Sequence, residues 1–192
     1  MVLKKVKLNY VNAAFVAILT LSASMIYGQG KYFSRNGQIR FFSDAKIEQI
    51  EAKNNKVSSA LDVSTGKIEF IVLIRSFQFD KALMQEHFNE NYMESAKYPK
   101  ATFSGNITNL PNIQFDKDGT YKATVAGKLT MHGVTKDITA NGTIKVNKGS
   151  IEVQSVLKVL LSDYNIKIPA VVKDQIAKEV EITILTTMNK VK

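Results

Sequence analysis

The sequence predicts an all-β domain whose short antiparallel strands form a barrel or a sandwich. Three observations predict this class: apolar and polar residues alternate, turn residues recur about every ten positions, and glycines lie inside the alternating segments. The glycines are Gly105, Gly127 and Gly142. A glycine within a strand commonly marks a bend or the close approach of a neighbour, and a sheet must bend in order to close. These glycines therefore favour a strongly curved sheet, as in a barrel.

The clearest strand covers residues 121–131. Apolar side chains occupy every second position from Tyr121 to Met131, while Lys122 and Lys128 are among the polar residues between them. Because successive strand residues point to opposite faces, this segment has one apolar and one polar face. The pattern recurs at Ile138, Ala140, Ile144 and Val146, at Ile151, Val153, Leu157 and Val159, and at Val180, Ile182 and Ile184. Residues 116–119 and 147–149 have the composition of turns between such strands.

Two segments break the alternation and predict short helices. The first runs from Asp80, a suitable capping residue, to about Asn91, and places Leu83 and His87 on one face. The second is shorter and begins at Pro169, since proline is favoured at the first helical position.

The first 28 residues have the pattern of a secretory signal peptide. Lys4, Lys5 and Lys7 precede an uncharged, mostly apolar stretch at 11–26, and small residues lead to Gly28. A membrane anchor, the alternative, requires about 20 continuous apolar residues, and this stretch is shorter. We therefore expect cleavage after Gly28, a mature domain at 29–192, and a periplasmic or secreted protein.

Composition restricts the remaining classes. The chain has no cysteine, so no disulfide stabilises the exported domain, and a lipid anchor attached to cysteine is excluded. The formal net charge is +9, but the lysines are dispersed rather than clustered. We interpret them as a solvated surface and expect no nucleic-acid partner.

The sequence offers little for catalysis or metal binding. His87 and His132 are the two histidines, whereas a zinc site needs three or four ligands. The Ser162–Asp163 pair lies in no G-x-S-x-G nucleophile elbow. We therefore expect no enzyme, no catalytic residue, no metal and no cofactor apart from a bound ligand.

Five landmarks follow one another along the chain: FQF at 77–79, EHF at 86–88, KYPKATF at 97–103, LTMHGVTK at 129–136 and LSDYNIKIP at 161–169. In this order and spacing, the chain resembles the YceI-like family of lipid- or polyisoprenoid-binding domains, from about Ser34 to Thr187. The resemblance implies an eight-stranded antiparallel lipocalin-like β-barrel with one or two short helices. It also implies an apolar pocket along the barrel axis, for a polyisoprenoid or a fatty-acyl compound.

Candidate ligand-binding residues come from the alternation and from two unusual positions. Ala123 and Gly127 lie among larger residues on one face of the central strand and could leave room for a slender chain. The residues expected to face inward are Phe70, Val72, Phe103, Tyr121, Ala123, Val125, Leu129, Met131, Val159 and Ile182. A register slip of one residue would turn each set to the other face.

Arg75 and His132 are the two polar candidates. Arg75 interrupts an apolar run, and it is either an outward, solvated residue or an anchor for a carboxylate or phosphate head group. His132 either forms a hydrogen bond across its turn or contacts the head group.

The predicted function is the binding, storage or transport of a long apolar amphiphile in the periplasm. Two alternatives remain at this point: an envelope interaction protein with a filled barrel, and an enzyme acting on lipids. A lipid is the expected partner, and the sequence leaves open a transient membrane contact and a homodimer formed through edge strands.

Overall fold

A computed structural model describes residues Gly30–Val191. The predicted signal peptide at 1–28 lies outside the described residues. The strands are β1 (Lys31–Asp44), β2 (Gln49–Asp62), β3 (Lys67–Leu73), β4 (Gln78–Phe79), β5 (Lys100–Ile107), β6 (Gly119–Met131), β7 (Val134–Asn147), β8 (Ser150–Leu160) and β9 (Glu179–Lys190). The helix α1 (Ala82–His87) continues into a π-helical turn (Phe88–Tyr92), and 3₁₀ turns occupy Ile74–Ser76, Leu110–Asn112, Leu161–Tyr164 and Ala170–Val172.

The strands close into one antiparallel barrel. Their order is β1-β9-β8-β7-β6-β5-β3-β2, and β2 pairs again with β1. The two-residue β4 pairs with β2 further along the edge that β3 uses, so β3 and β4 share one position in the wall. The prediction of an eight-stranded antiparallel barrel with a short helix is confirmed, and the sandwich alternative is not formed.

Asn54 bridges the interruption between β3 and β4. Its buried amide donates a hydrogen bond to the Leu73 carbonyl oxygen at 2.9 Å, and its Oδ1 accepts one from the Lys56 amide at 2.9 Å. A buried amide is tolerated when its polar atoms find partners. Between β3 and β4 the chain leaves the barrel wall in the Ile74–Ser76 turn, and the backbone pairing with β2 is interrupted. The hydrogen bonds of the Asn54 side chain take the place of that pairing.

The alternating segments form the predicted strands β6 to β9, but the helices differ from the prediction. Helix α1 begins at Ala82, after Lys81, and has no side-chain cap; the prediction that Asp80 caps it is wrong. The segment after Pro169 forms only the 3₁₀ turn Ala170–Val172 rather than an α-helix. Its peptide groups instead bind neighbouring segments: Asp174 accepts from the Ile47 amide, and the Ala177 amide donates to Ser43 Oγ.

The barrel has two unlike ends. At the end that we call the open end lie the hairpin at 45–48, the crossover at 74–99, the β6–β7 hairpin, and the segment at 161–178. At the opposite end, the closed end, lie the turns at 63–66 and 148–149 and the connection at 108–118.

Large side chains fill the closed half. Leu61, Ile151 and Met188 are each at most 2% exposed. The buried hydroxyls of Ser59 and Thr186 form a 2.9 Å hydrogen bond that joins β2 to β9 across the interior. The fully buried core is therefore concentrated at this end and closes it.

Gly105 on β5 and Gly127 on β6 face each other in the ladder. A Cβ atom at Gly105 would lie 2.5 Å from the Ala126 carbonyl oxygen, and a Cβ at Gly127 would lie 2.8 Å from the Phe103 ring. Both distances are far inside van der Waals contact, so the two strands can approach this closely only because both positions lack a side chain. The predicted role of these glycines, close approach in a curved sheet, agrees with this geometry.

We expect Gly127→Ala to lower the free energy of unfolding by about 1–3 kcal/mol, because the added methyl group meets backbone atoms that cannot yield easily. Gly119→Ala, at the start of the same strand, is the control: the three atoms nearest to its methyl group would all belong to the Tyr121 side chain, at 3.2 Å or more. Urea unfolding of both variants measures the difference. Equal stability of the two variants would contradict the proposed close packing.

Candidate ligand-binding cavity

A cavity of about 530 Å³ occupies the open half of the barrel. This volume falls in the range of about 300–1,000 Å³ that is usual for small-molecule sites. Its wall is made by inward side chains of the strands and by the crossover and the 161–178 segment, which cover the open end. The cavity is therefore closed at one end by the core and reaches solvent at the other.

Small side chains create this space. Ala101 on β5, Ala123 on β6, and Ala140 and Gly142 on β7 all line the cavity. Each occupies an inward position at which a larger residue would fill the interior, as Leu61 and its neighbours do in the closed half. The difference between the two halves is thus one of side-chain volume within the same ladder.

An aromatic cluster of Phe41, Phe77, Phe79 and Phe88 attaches the crossover to the barrel. Phe88 stacks on Phe41 with ring centroids 5.5 Å apart, and it meets Phe79 at 5.0 Å and Phe77 at 5.5 Å. Contacts of this kind contribute about 0.5–1.5 kcal/mol each beyond the area they bury. All four rings line the cavity, so the cluster both fixes the crossover and forms an apolar wall.

Charged groups line the cavity only near the open end, among the described residues. Lys81 Nζ lies 2.9 Å from Glu48 Oε1, and the exposed His87 lies nearby on α1. Tyr92 also lines the cavity, and burial raises the pKa of its hydroxyl, so this group is neutral at physiological pH. The interior of the cavity therefore presents no charge. Its solvent end, which we call the mouth, presents both positive and negative charge.

Eight of the twelve predicted ligand-binding residues line the cavity. They are Phe70, Val72, Phe103, Ala123, Val125, Leu129, Met131 and Ile182. They come from β3, β5, β6 and β9, and the closed barrel brings them together around one space.

Tyr121 and Val159 face inward but lie outside the cavity. Tyr121 is at the closed end, where its hydroxyl donates to the Lys117 carbonyl oxygen at 3.0 Å. Val159 is 4% exposed and packs within the core. Alternation gives the face on which a residue lies but not its height along the barrel axis.

Arg75 lies on the outer surface and does not line the cavity. The apolar run before it ends as a strand at Leu73 and turns through the 3₁₀ turn Ile74–Ser76. The exposed guanidinium Nε donates to Ser95 Oγ at 3.3 Å. Of the two interpretations of Arg75, this position corresponds to the outward, solvated residue.

His132 also lies outside the cavity and joins three segments. Its Nδ1 is 2.9 Å from the Tyr164 carbonyl oxygen, and its Nε2 is 3.3 Å from the Glu94 carboxylate. Its ring also packs edge-on against Tyr98, with the centroids 4.7 Å apart. Since a carbonyl can only accept, the Nδ1–H donates. We call this contact, from His132 to Tyr164, the clasp.

Sequence reasoning missed cavity residues on the first strand and on the loops. Ile39 and Phe41 of β1 line the cavity, as do Glu48 and Lys81 at the mouth. The alternation of Ile39, Arg40 and Phe41 is the available signal, but the adjacent Phe42 obscures it. The mouth residues come from separate loops and have no common sequence pattern.

In the part of the chain that the structure describes, no helix has both the length and the apolar character needed to cross a membrane. Within residues 30–191, no three side chains of the usual metal-binding types gather at one point.

The fold and the cavity define a class: antiparallel β-barrels that enclose an apolar site, plugged at one end and open at the other. The chain belongs to the YceI-like domain family, whose family model matches residues 33–188. This is a family of binding proteins. The resemblance identified from the sequence landmarks is thereby confirmed.

Solved structures with the same fold have low sequence identity to the chain. A polyisoprenoid binding domain from Saccharophagus degradans, implicated in plant cell wall breakdown, has a TM-score of 0.74 and 15% identity, covering 84% of this chain and 99% of that one. BcnA of Burkholderia cenocepacia has a TM-score of 0.65 and 21% identity over 79% of this chain and 95% of its own. The YCEI protein of Campylobacter jejuni has a TM-score of 0.59 and 17% identity over 99% and 100% of the two chains. No curated sequence matches the chain.

We expect Phe88→Ala to release the crossover while the barrel remains folded, because Phe88 contacts the other three rings of the cluster, including Phe41 of β1. The loss of stability should be roughly 2 kcal/mol, below the about 3–5 kcal/mol usual for truncation of a buried phenylalanine, since the side chain is only half-buried. Amide hydrogen exchange should accelerate at 82–92 and stay unchanged in β6 to β9. Leu83→Ala, at a position 61% exposed on the same helix, is the control; similar exchange in both variants would show that the cluster does not hold the crossover.

Proposed function

We propose that the protein binds one long apolar amphiphile, a polyisoprenoid or a fatty-acyl compound, with its hydrocarbon chain in the cavity and its head group at the open end. The observation that carries this proposal is the apolar cavity itself, closed below by Leu61, Ile151 and Met188 and lined by uncharged side chains everywhere except near the open end. A filled barrel, the main alternative from the sequence, would have no such space.

The energetics favour a chain-like ligand. Each CH₂ group removed from water contributes about 0.8 kcal/mol, so a chain of many such groups binds tightly without specific polar contacts. The same wall offers no partner for a buried charge, and an unpaired charge within it would be strongly disfavoured. Affinity would therefore come from the chain, and polar selectivity from the mouth.

The mouth offers a mixed polar environment for the head group. Lys81 and Glu48 form an ion pair there, and His87 and Gln175 line the same region. A carboxylate or phosphate could pair with Lys81 in place of Glu48, and a hydroxyl could bond to either. We propose this end, rather than Arg75 on the outer surface, as the position of the head group.

The comparisons support the ligand class. The family consists of binding proteins, and the Saccharophagus degradans structure is described as a polyisoprenoid binding domain. We propose that this chain acts likewise without catalysing a reaction, since the charged side chains that line its cavity, among the described residues, lie at the mouth and not around a buried reacting centre.

Storage or transport through the periplasm completes the proposal. The pattern of residues 1–28 supports export. Three exposed apolar side chains surround the open end on separate segments: Ile47 at 70%, Leu83 at 61% and Val171 at 88% exposure. Side chains of this kind can insert briefly into a membrane surface from which the ligand is taken or to which it is delivered.

Native mass spectrometry of the protein purified from its own host, followed by organic extraction, tests the proposal. We expect a chain beginning near Gln29 and a stoichiometric isoprenoid or acyl compound. A mass without ligand, together with failure to take up quinones and fatty acids in vitro, would exclude the carrier function.

Filling the cavity should block binding. Ala123→Phe places a ring in the lined space, and we expect affinity for a fluorescent long-chain fatty acid to fall by roughly tenfold or more, since displacing two CH₂ groups already costs that much. Ala126→Phe, on the outer face of the same strand, should bind like the wild-type protein. Equal titration curves for the two variants would place the ligand elsewhere.

A further inference from the structure

The barrel wall forks between β7 and β8. The ladder of these two strands runs from Asn147↔Ser150 to Gly142↔Ser155. Beyond that pair, within the described chain, residues 134–141 of β7 have no ladder partner on β8, and neither do residues 156–160 of β8 on β7. Each strand nevertheless keeps its other neighbour: β7 pairs with β6 as far as Val134, and β8 pairs with β9 as far as Leu160. The two strands therefore separate toward the open end.

The fork begins at a tightly packed point. A Cβ atom on Gly142 would lie 3.1 Å from the Ser155 Cβ, in addition to meeting the Gln154 carbonyl. Ser155 Oγ donates to the Asn141 carbonyl oxygen at 2.8 Å, in place of the next backbone bond. A side-chain hydrogen bond thus ends the ladder at a defined residue.

The cavity passes through this fork. Alternation turns Asn141, Thr143 and Gln154 toward the outside, yet all three line the cavity together with their inward neighbours. Together with the missing pairing between β7 and β8, this lining indicates a lateral opening in the wall, which we call the slit.

The clasp closes the slit at its upper end. His132, in the hairpin between β6 and β7, is bonded to the carbonyl of Tyr164, in the turn that follows β8. The turn Leu161–Tyr164 also contacts β7. The slit is therefore bounded by Gly142 and Ser155 below and by the clasp above.

We propose that the slit is a lateral portal through which the hydrocarbon chain of the ligand enters and leaves the cavity sideways. This inference rests on the proposed function and adds its route. Val156 and Leu160, 50% and 45% exposed on the outer face of β8 on either side of Lys158, place apolar surface beside the slit. Passage through the slit leaves the aromatic cluster in place, whereas axial passage runs past the crossover and the 161–178 segment, which cover the open end.

Cross-linking the slit tests the portal, and the absence of native cysteine makes every introduced thiol specific. In Asn141→Cys/Val156→Cys the two thiols lie on opposite sides of the slit, where a short, reducible bifunctional thiol reagent joins them. We expect the cross-link to slow the release of a fluorescent long-chain fatty acid by about tenfold or more. A tenfold change in rate needs only a modest rise in the activation barrier for release. Reduction should restore the rate.

Lys128→Cys/Asp137→Cys is the matched control. These residues are opposite each other on the outer face of the continuous β6–β7 ladder, so the same reagent should leave the release rate unchanged. Unchanged release from the cross-linked slit variant would overturn the portal while leaving the proposed function standing. Failure of the wild-type protein to take up the probe at all would overturn both.

A second variant tests the portal without a cross-link. His132→Asn removes the clasp and keeps a residue type that tolerates the positive φ of 50° at this position. We expect faster uptake and faster release with the same equilibrium affinity. Unchanged rates of uptake and release would contradict the portal, and so would a dimer, seen by light scattering, that the slit cross-link converts to a monomer, since a second chain would then occupy the slit.

Discussion

Closure of one antiparallel ladder around the barrel axis is the constraint on which the rest of the structure depends. Because β1 pairs with both β2 and β9, the strands form a closed ring apart from the slit between β7 and β8, and the inward side chains point into a common space. The volume of those side chains then decides what the space contains. Leu61 and Met188 make one half a core, while Ala101, Ala123 and Ala140 make the other half a cavity. The pattern of inward side chains therefore produces both the barrel core and the cavity.

The crossover between β3 and β5 supplies side chains to the mouth, to the aromatic cluster and to the surroundings of His132. This one connection carries Lys81 and His87 to the mouth, Phe88 to the aromatic cluster and Glu94 to the side of His132. Its attachment is apolar on the barrel side and polar toward solvent. A change in this connection would therefore alter the mouth, the wall and the clasp together, although none of its side chains belongs to the long ladders.

The sequence predicts the fold well because the strongest signal, alternation, is also what a closed sheet requires. It identifies inward faces such as that of β6, and Ala123 lies in the cavity as expected. Alternation carries no information on height along the axis, which is why Tyr121 belongs to the closed end. Nor does an apolar run show where a strand ends: Arg75 lies within the turn that follows β3, next to Leu73, whose carbonyl oxygen is bound by the distant side chain of Asn54. The fork of β7 and β8 depends on pairing between strands, which residue types alone do not specify.

Strand β1 begins and strand β9 ends side by side at the closed end, where the Val191 amide donates to the Lys31 carbonyl oxygen at 2.8 Å. These two positions belong to adjacent antiparallel strands, so tension applied between them would open the β1–β9 hydrogen bonds one after another rather than shear them all at once. The barrel is therefore mechanically weak when it is pulled apart at Lys31 and Val191. The first hydrogen bonds to break would lie at the closed end, far from the cavity. Their loss would therefore affect a bound ligand least.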